Sequence, residues 1–229
     1  MNQNLNIRSM SNEELAALGL IVNDELERRS KSQETTHEDY DAVIYVDGSY
    51  NNDTEQYAYG MMIEDSKGVH YFSKAYPKDN MSSMRNVAGE IAGSRTAIQY
   101  CLDNGLKNVQ LNYDYIGIEK WCSGEWKAKN QSTKAYQDFY HDALEHVNIH
   151  FNHTPGHSGI EGNEVCDSLA KQALGIPDTK KKREMFSEAL ASAKPYVSNS
   201  ERLVNKLVSE WDDVEKEHSE IECSSLYVK

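Results

Sequence analysis

The sequence predicts an α/β fold in which helices flank a mixed sheet, and three observations carry that prediction. Residues 42–76 hold three short β-branched and aromatic runs separated by turn formers. From residue 87 onward, runs with helical spacing alternate with short strand-like runs. The chain has 229 residues, 38% hydrophobic and 27% charged, which suffices for a packed core under a water-soluble surface.

The elements follow in order. Ser11 to Arg29 reads as a helix: Ser11 and Glu14 make a capping-box pattern, and Leu15, Leu18, Val22 and Leu26 recur at helical spacing. Residues 30–39 form a polar linker. Ala42 to Asp47 (AVIYVD) is a strand that Gly48 and Ser49 are expected to end. Tyr57 to Glu64 and Val69 to Tyr76 are two more strands, with Asp65 to Gly68 (DSKG) as a hairpin turn. Three strands joined this closely should run antiparallel.

Val87 to Leu102 has a helix pattern despite Gly89 and Gly93. Each glycine costs about 1 kcal/mol against alanine in a helix. Two of them four residues apart share a face, which points to close approach by another backbone. A strand at Asn108–Tyr113, a polar stretch at Trp121–Ser132 and a helix at Lys134–Glu145 follow. A strand at Val147–Phe151, a loop at Asn152–Ser158 and a helix from Glu161 to about Leu174 complete the central region. Beyond it, Lys180–Lys229 reads as mostly helical. There Leu203, Val204, Leu207, Val208, Trp211 and Val214 form an apolar stripe expected to pack on the rest of the chain. Three domains are expected: 1–40, a helical extension and linker; 41–176, the central domain; and 177–229, a helical extension.

No run approaches the roughly 18 apolar residues of a membrane span, and Met1–Arg8 lacks a signal-peptide pattern. A cytoplasmic protein with no membrane partner is expected. Cys101, Cys122, Cys166 and Cys223 lie far apart and form no CxxC pair, so they read as free thiols, mostly in the core.

The net charge of −13 opposes a nucleic-acid partner, which a basic footprint normally announces. Its distribution weakens that objection. Residues 1–40 hold −4 and residues 178–229 hold −2, which leaves −7 in the middle. Two divalent ions bound by central carboxylates would reduce this to −3.

Four carboxylates stand where such ions bind. Asp47 ends a strand, Glu90 lies in a first helical turn, Asp114 ends a second strand, and Asp167 follows a Gly- and His-rich loop. Clustered carboxylates repel unless cations lie between them, and hard oxygen ligands select Mg²⁺ or Mn²⁺. A single aspartate after a strand ordinarily caps a turn, so spacing alone leaves both readings open. His153 and His157 are spaced like a metal pair, but Pro155-Gly156 between them denies a helix and argues against zinc.

The local sequences go further. Tyr45-Val46-Asp47-Gly48-Ser49, Asn86 to Glu90 (NVAGE), Tyr113-Asp114-Tyr115 and His153 to Ala170 (HTPGHSGIEGNEVCDSLA) together resemble the ribonuclease H family, type 1, in the family's order. The PGHSG loop followed by GNE and a helical aspartate is the most specific piece. The resemblance covers about residues 41–175. It implies a ribonuclease H-like fold: a mixed five-stranded sheet, three antiparallel strands then two parallel, flanked by helices.

The resemblance also implies an activity. It is hydrolysis of the RNA strand of RNA–DNA hybrids with two Mg²⁺ (or Mn²⁺), leaving 5′-phosphate and 3′-hydroxyl ends. Asp47 would bridge both ions. Glu90 and Asp114 would hold the ion on the leaving-group side, and Asp167 the ion that activates water. His157 would assist turnover. Gly48, Ser49 and Asn86 would read the RNA strand near the ions. Trp121, Trp126, Lys127, Lys129 and Lys134 fall where relatives carry a basic, aromatic substrate-binding region. Two departures touch hybrid contacts: Val87 replaces a second asparagine, and Tyr115 stands where a small residue is usual. The competing readings are an integrase- or resolvase-like DNA nuclease and a non-catalytic binding module of the same fold. Against the first stands the PGHSG loop; against the second, the presence of all four carboxylates.

Overall fold

In the computed structural model the described residues are Ser11, Leu18 and 40–206, except His157 and Ser158. The chain divides into two compact units, 1–40 and 41–229. The predicted N-terminal helix falls outside the described residues apart from Ser11 and Leu18, of which Leu18 is helical.

The second unit is organised by one five-stranded sheet of order β3-β2-β1-β4-β5. Its strands are β1 (Ala42–Asn51), β2 (Gln56–Asp65), β3 (Gly68–Tyr76), β4 (Asn108–Tyr113) and β5 (Asn148–His153). Antiparallel pairing joins β1 to β2, with Asp47 opposite Gly60, and β2 to β3, with Asp65 opposite Gly68 across the expected hairpin. Parallel pairing joins β1 to β4 and β4 to β5. Parallel neighbours need crossovers, and helices supply them. These are α1 (Asn86–Asn104) before β4, then α2 (Gly117–Cys122) and α3 (Gln131–Ala143) before β5. The helix α4 (Glu161–Ala173) follows β5, and α5 (Lys180–Met185) and α6 (Ser187–Ser192) lie beyond it.

Alternation along the strands builds two apolar layers. Ile44 and Val46 of β1 and Tyr59, Met61 and Ile63 of β2 pack with Ile91, Ala97 and Ile98 of α1 and with Ile118, Trp121 and Tyr136 of α2 and α3. On the other face, Met62 packs with Val165, Cys166 and Leu169 of α4 and with Phe186 and Ala189. Cys101, Cys122 and Cys166 are buried free thiols, as their spacing predicts. Cys223 lies outside the described residues.

Three differences from the sequence reading bear on the site. First, β1 does not stop at Asp47. It runs through Gly48 and Ser49 to Asn51, because the turn to β2 comes only at 52–55 and Asn51 pairs with Gln56. Asp47 is therefore an interior strand residue. Second, α3 begins at Gln131 rather than Lys134, since the Asn130 side chain caps it by accepting the Thr133 N–H at 2.7 Å. Third, part of the polar stretch holding the tryptophans is the short helix α2, which ends at Cys122.

Candidate metal centre and its cleft

Backbone contact between β1 and α1 brings the first two carboxylates together. A Cβ on Gly48 would stand 2.4 Å from the Asn86 carbonyl oxygen and 2.5 Å from the Glu90 nitrogen. A Cβ on Gly89 would stand 2.2 Å from the Ala58 carbonyl oxygen and 2.8 Å from the Gly48 Cα. Only glycine fits either place. The close backbone approach predicted from the helical glycines holds for Gly89, which meets backbone on β1 and β2, whereas Gly93 faces the side chains of Tyr59 and Val46. The Gly89 contact puts Glu90 beside Asp47. The Gly48 N–H donates to Asp47 Oδ1 at 2.7 Å and to Glu90 Oε1 at 2.9 Å. Glu90 belongs to the second turn of α1, which starts at Asn86.

Asp114 follows β4 directly, and the loop after β5 fixes it. The Thr154 N–H donates to the Tyr113 carbonyl at 2.8 Å. His153 Nε2 lies 2.9 Å from the Asp114 carbonyl oxygen, which only accepts, so the ring donates. A Cβ on Gly156 would stand 2.9 Å from Asp114 Oδ2. Asp47, Glu90 and Asp114 each offer an oxygen within 4.8 Å of the others.

The electrostatics match a site that needs cations. Burial, then the Asp114 charge, pushes the Asp47 carboxyl up to about 7, against the Glu90 and Gly48 hydrogen bonds that lower it. Glu90 is driven well above the usual carboxylate range by burial and by the Asp47 and Asp114 charges. Its Oε2 is buried and has no hydrogen-bond partner among the described residues. An orphaned carboxylate oxygen inside an oxygen-only cluster fits a hard divalent cation.

Asp167 of α4 lines the same cleft as Asp47, Asp114, Gly48, Ser49 and Asn86. Its surroundings differ. Lys171 Nζ donates to Asp167 Oδ2 at 2.7 Å, and Lys182 Nζ of α5 donates to the same oxygen at 2.9 Å. Burial would raise its pKa, but these two ammoniums outweigh burial and hold it below the usual range. Asp47, Asp114 and Asp167 therefore line one cleft, Glu90 is buried beside Asp47, and Asp167 alone of the four is paired with lysines among the described residues.

The remaining predicted residues divide. Trp121, Trp126, Lys127 and Lys129 line one hollow with Glu125, Asn130 and Thr133. Trp121 is buried and meets Trp126 edge-on at 6.2 Å. Tyr115 packs on both rings, with centroids at 5.8 Å and 6.4 Å. The departure from a small residue at 115 thus places an aromatic ring directly after Asp114. Lys134 is exposed on α3 and does not line the hollow. His157 lies outside the described residues. Sequence reading missed Arg85 and Lys171, which both line the cleft, and His153, which steadies Asp114. The i,i+4 spacing of Asp167 and Lys171 could have shown that pair. No local pattern marks Arg85, whose backbone takes a rare positive φ of 54° just before α1.

Comparison with known proteins agrees with this fold. The family described as RNase H matches residues 39–175. The chain belongs to the ribonuclease H family. Similar ribonucleases H include that of Idiomarina loihiensis, 30% identical over 138 residues, covering 57% of this chain and 85% of the relative. That of Prosthecochloris aestuarii is 25% identical over 141 residues, covering 58% and 94%. Among solved structures, the N-terminal ribonuclease H domain of a Mycobacterium tuberculosis protein superposes with a TM-score of 0.50 at 18% identity, covering 59% of this chain and 94% of that one. The mixed sheet, three antiparallel strands then two parallel, is the ribonuclease H fold implied by the motifs.

Proposed function

We propose that this ribonuclease H cleaves the RNA strand of RNA–DNA hybrids with two divalent ions, Mg²⁺ or Mn²⁺, leaving 5′-phosphate and 3′-hydroxyl ends. One observation carries the reading: three buried or half-buried carboxylates offer oxygens within 4.8 Å of one another, and one buried Glu90 oxygen has no partner among the described residues. Asp47, Glu90, Asp114 and Asp167 would hold the metal. Bound Mg²⁺ supplies an activated water and charge stabilisation at the leaving oxygen.

The chain's own groups do the rest. The Gly48 N–H holds the Asp47 and Glu90 carboxylates in register. Ser49 and Asn86 border the cleft, where a hydroxyl and an amide can meet a ribose 2′-hydroxyl. Arg85 puts a guanidinium at the same edge, suited to a phosphate. The hollow formed by Trp126, Lys127 and Lys129 offers an aromatic edge and two cations for the DNA strand. His157 takes the turnover role that its PGHSG context implies, and a cytoplasmic location accords with the sequence. The test is a gel with labelled RNA–DNA hybrid, duplex RNA and duplex DNA, each with and without Mg²⁺. Mg²⁺-dependent loss of the hybrid's RNA strand alone supports the reading. Cleavage of duplex DNA instead would move the protein to the DNA nucleases of this fold.

A further inference from the structure

The basic run 180–183 lies beyond the family match, which ends at residue 175. A solvated linker would leave all four cations in water. Lys182 departs from that: its side chain is 25% exposed and its ammonium sits between two carboxylates of α4. Lys182 Nζ lies 2.6 Å from Glu164 Oε2 and 2.9 Å from Asp167 Oδ2. Its neighbours in the run behave otherwise: Lys180 pairs only loosely with Glu184 at 3.5 Å, with both side chains exposed.

The segment that delivers Lys182 is docked by other contacts. Phe186 and Ala189 pack on Met62, Cys166 and Leu169. Ser168 Oγ donates to Asp178 Oδ2 at 2.5 Å. The Thr179 side chain caps α5 by accepting the Lys182 N–H at 3.3 Å. Lys194 bridges to Phe72 on β3. Contacts other than the ion pair thus hold the segment that carries Lys182 beside α4.

We propose that Lys182 is a resident cation of the active site: it neutralises Asp167 in the metal-free protein and must withdraw before a divalent ion can bind Asp167. Residues 177–196 then set the metal concentration at which the Asp167 side of the site loads. Among the described residues the close-set trio of Asp47, Glu90 and Asp114 has no lysine partner and is free of this competition. Lys171 also holds Asp167, but from the same helix. Lys182 is the cation that the segment beyond the family match adds. This inference rests on the metal-binding reading above.

The test is Mn²⁺ binding to the full chain by calorimetry, alongside Mg²⁺ titration of hybrid cleavage. Lys182→Gln removes the charge and keeps a side chain of similar reach. It should tighten Mn²⁺ binding about two- to fivefold, as expected for removal of one partly exposed competing charge, and lower the Mg²⁺ needed for half-maximal cleavage in step. Lys182→Arg, which keeps the charge, should retain wild-type affinity. In an Asp167→Asn background, Lys182→Gln should change nothing. If Lys182→Gln binds Mn²⁺ as the wild type does while the wild type binds metal and cleaves hybrid, this inference alone fails. Equal tightening in Lys182→Gln and Lys182→Arg would assign Lys182 a structural role and overturn it. A wild type that neither binds Mn²⁺ nor cleaves hybrid would overturn the underlying reading as well.

Discussion

Gly89 and Gly48 touch backbone to backbone: a Cβ on Gly89 would lie 2.8 Å from the Gly48 Cα. This contact sets Glu90 beside Asp47. Gly89→Ala or Gly48→Ala forces the helix off the sheet. Each should cost about 1–3 kcal/mol of stability, the usual size of an overpacked site, and weaken metal binding. Urea unfolding and Mn²⁺ calorimetry measure the two effects. Gly68, where a Cβ would meet nothing, is a control position for space, although its φ of 118° strains any replacement.

The metal-free protein should become less stable as pH rises. Asp47 is lifted from its ordinary value near 4 to about 7 by burial first and the Asp114 charge second. A raised carboxyl means that the folded state holds a proton that the unfolded state has lost. Stability from this group is therefore greatest below about pH 4 and is lost as pH climbs to about 7. Asp47→Asn should flatten that slope and raise the melting temperature at pH 8 without metal. Mg²⁺ should stabilise the wild type more at pH 8 than at pH 5. Melting curves at both pH values, with and without Mg²⁺, check this. A wild type more stable at pH 8 than at pH 5 without metal would contradict it.

The loop after β5 should matter through Asp114. Gly156→Ala would set a methyl 2.9 Å from Asp114 Oδ2 and push the carboxylate away from the trio. His153→Ala removes the donor to the Asp114 carbonyl, worth about 1 kcal/mol. Both variants should keep the fold, lose Mn²⁺ affinity and cleave more slowly. Circular dichroism beside calorimetry separates this from unfolding.

Hybrid binding should weaken with salt despite the net charge of −13, because lysines displace counterions from phosphates. A Lys127→Ala, Lys129→Ala, Lys134→Ala variant should bind more weakly and with a shallower salt slope. Lys127 and Lys129 line the tryptophan hollow and should account for most of the change, since Lys134 stands outside it.

Much of this fold is legible in the sequence because its signals are local. The DSKG turn, the strand at Asn108–Tyr113 and the glycine pair in α1 each declare themselves within a few residues. What escapes depends on partners distant in sequence. β1 continues past Gly48 because β2 pairs with it as far as Asn51, and a glycine that reads as a stop is there to admit α1. Motif resemblance marked the four carboxylates, yet nothing local shows that Asp167 meets a lysine fifteen residues on. The apolar stripe of the tail remains only partly placed. Residues 199–206 are helical, but Leu203 and Val204 are 60% and 56% exposed, and the rest of the stripe lies outside the described residues.

The most direct test of the metal-dependent hydrolysis proposed for this site compares wild type with Asp47→Asn on a labelled RNA–DNA hybrid, measuring RNA cleavage and hybrid binding in the same Mg²⁺ buffer. The exchange keeps the size of the side chain and removes its charge. The wild type should cut the RNA strand, and the variant should lose cleavage by at least about a hundredfold, the order seen when a preorganised electrostatic group is lost, while still binding the hybrid. Near-normal cleavage by Asp47→Asn would contradict the assignment of the trio as the catalytic metal centre.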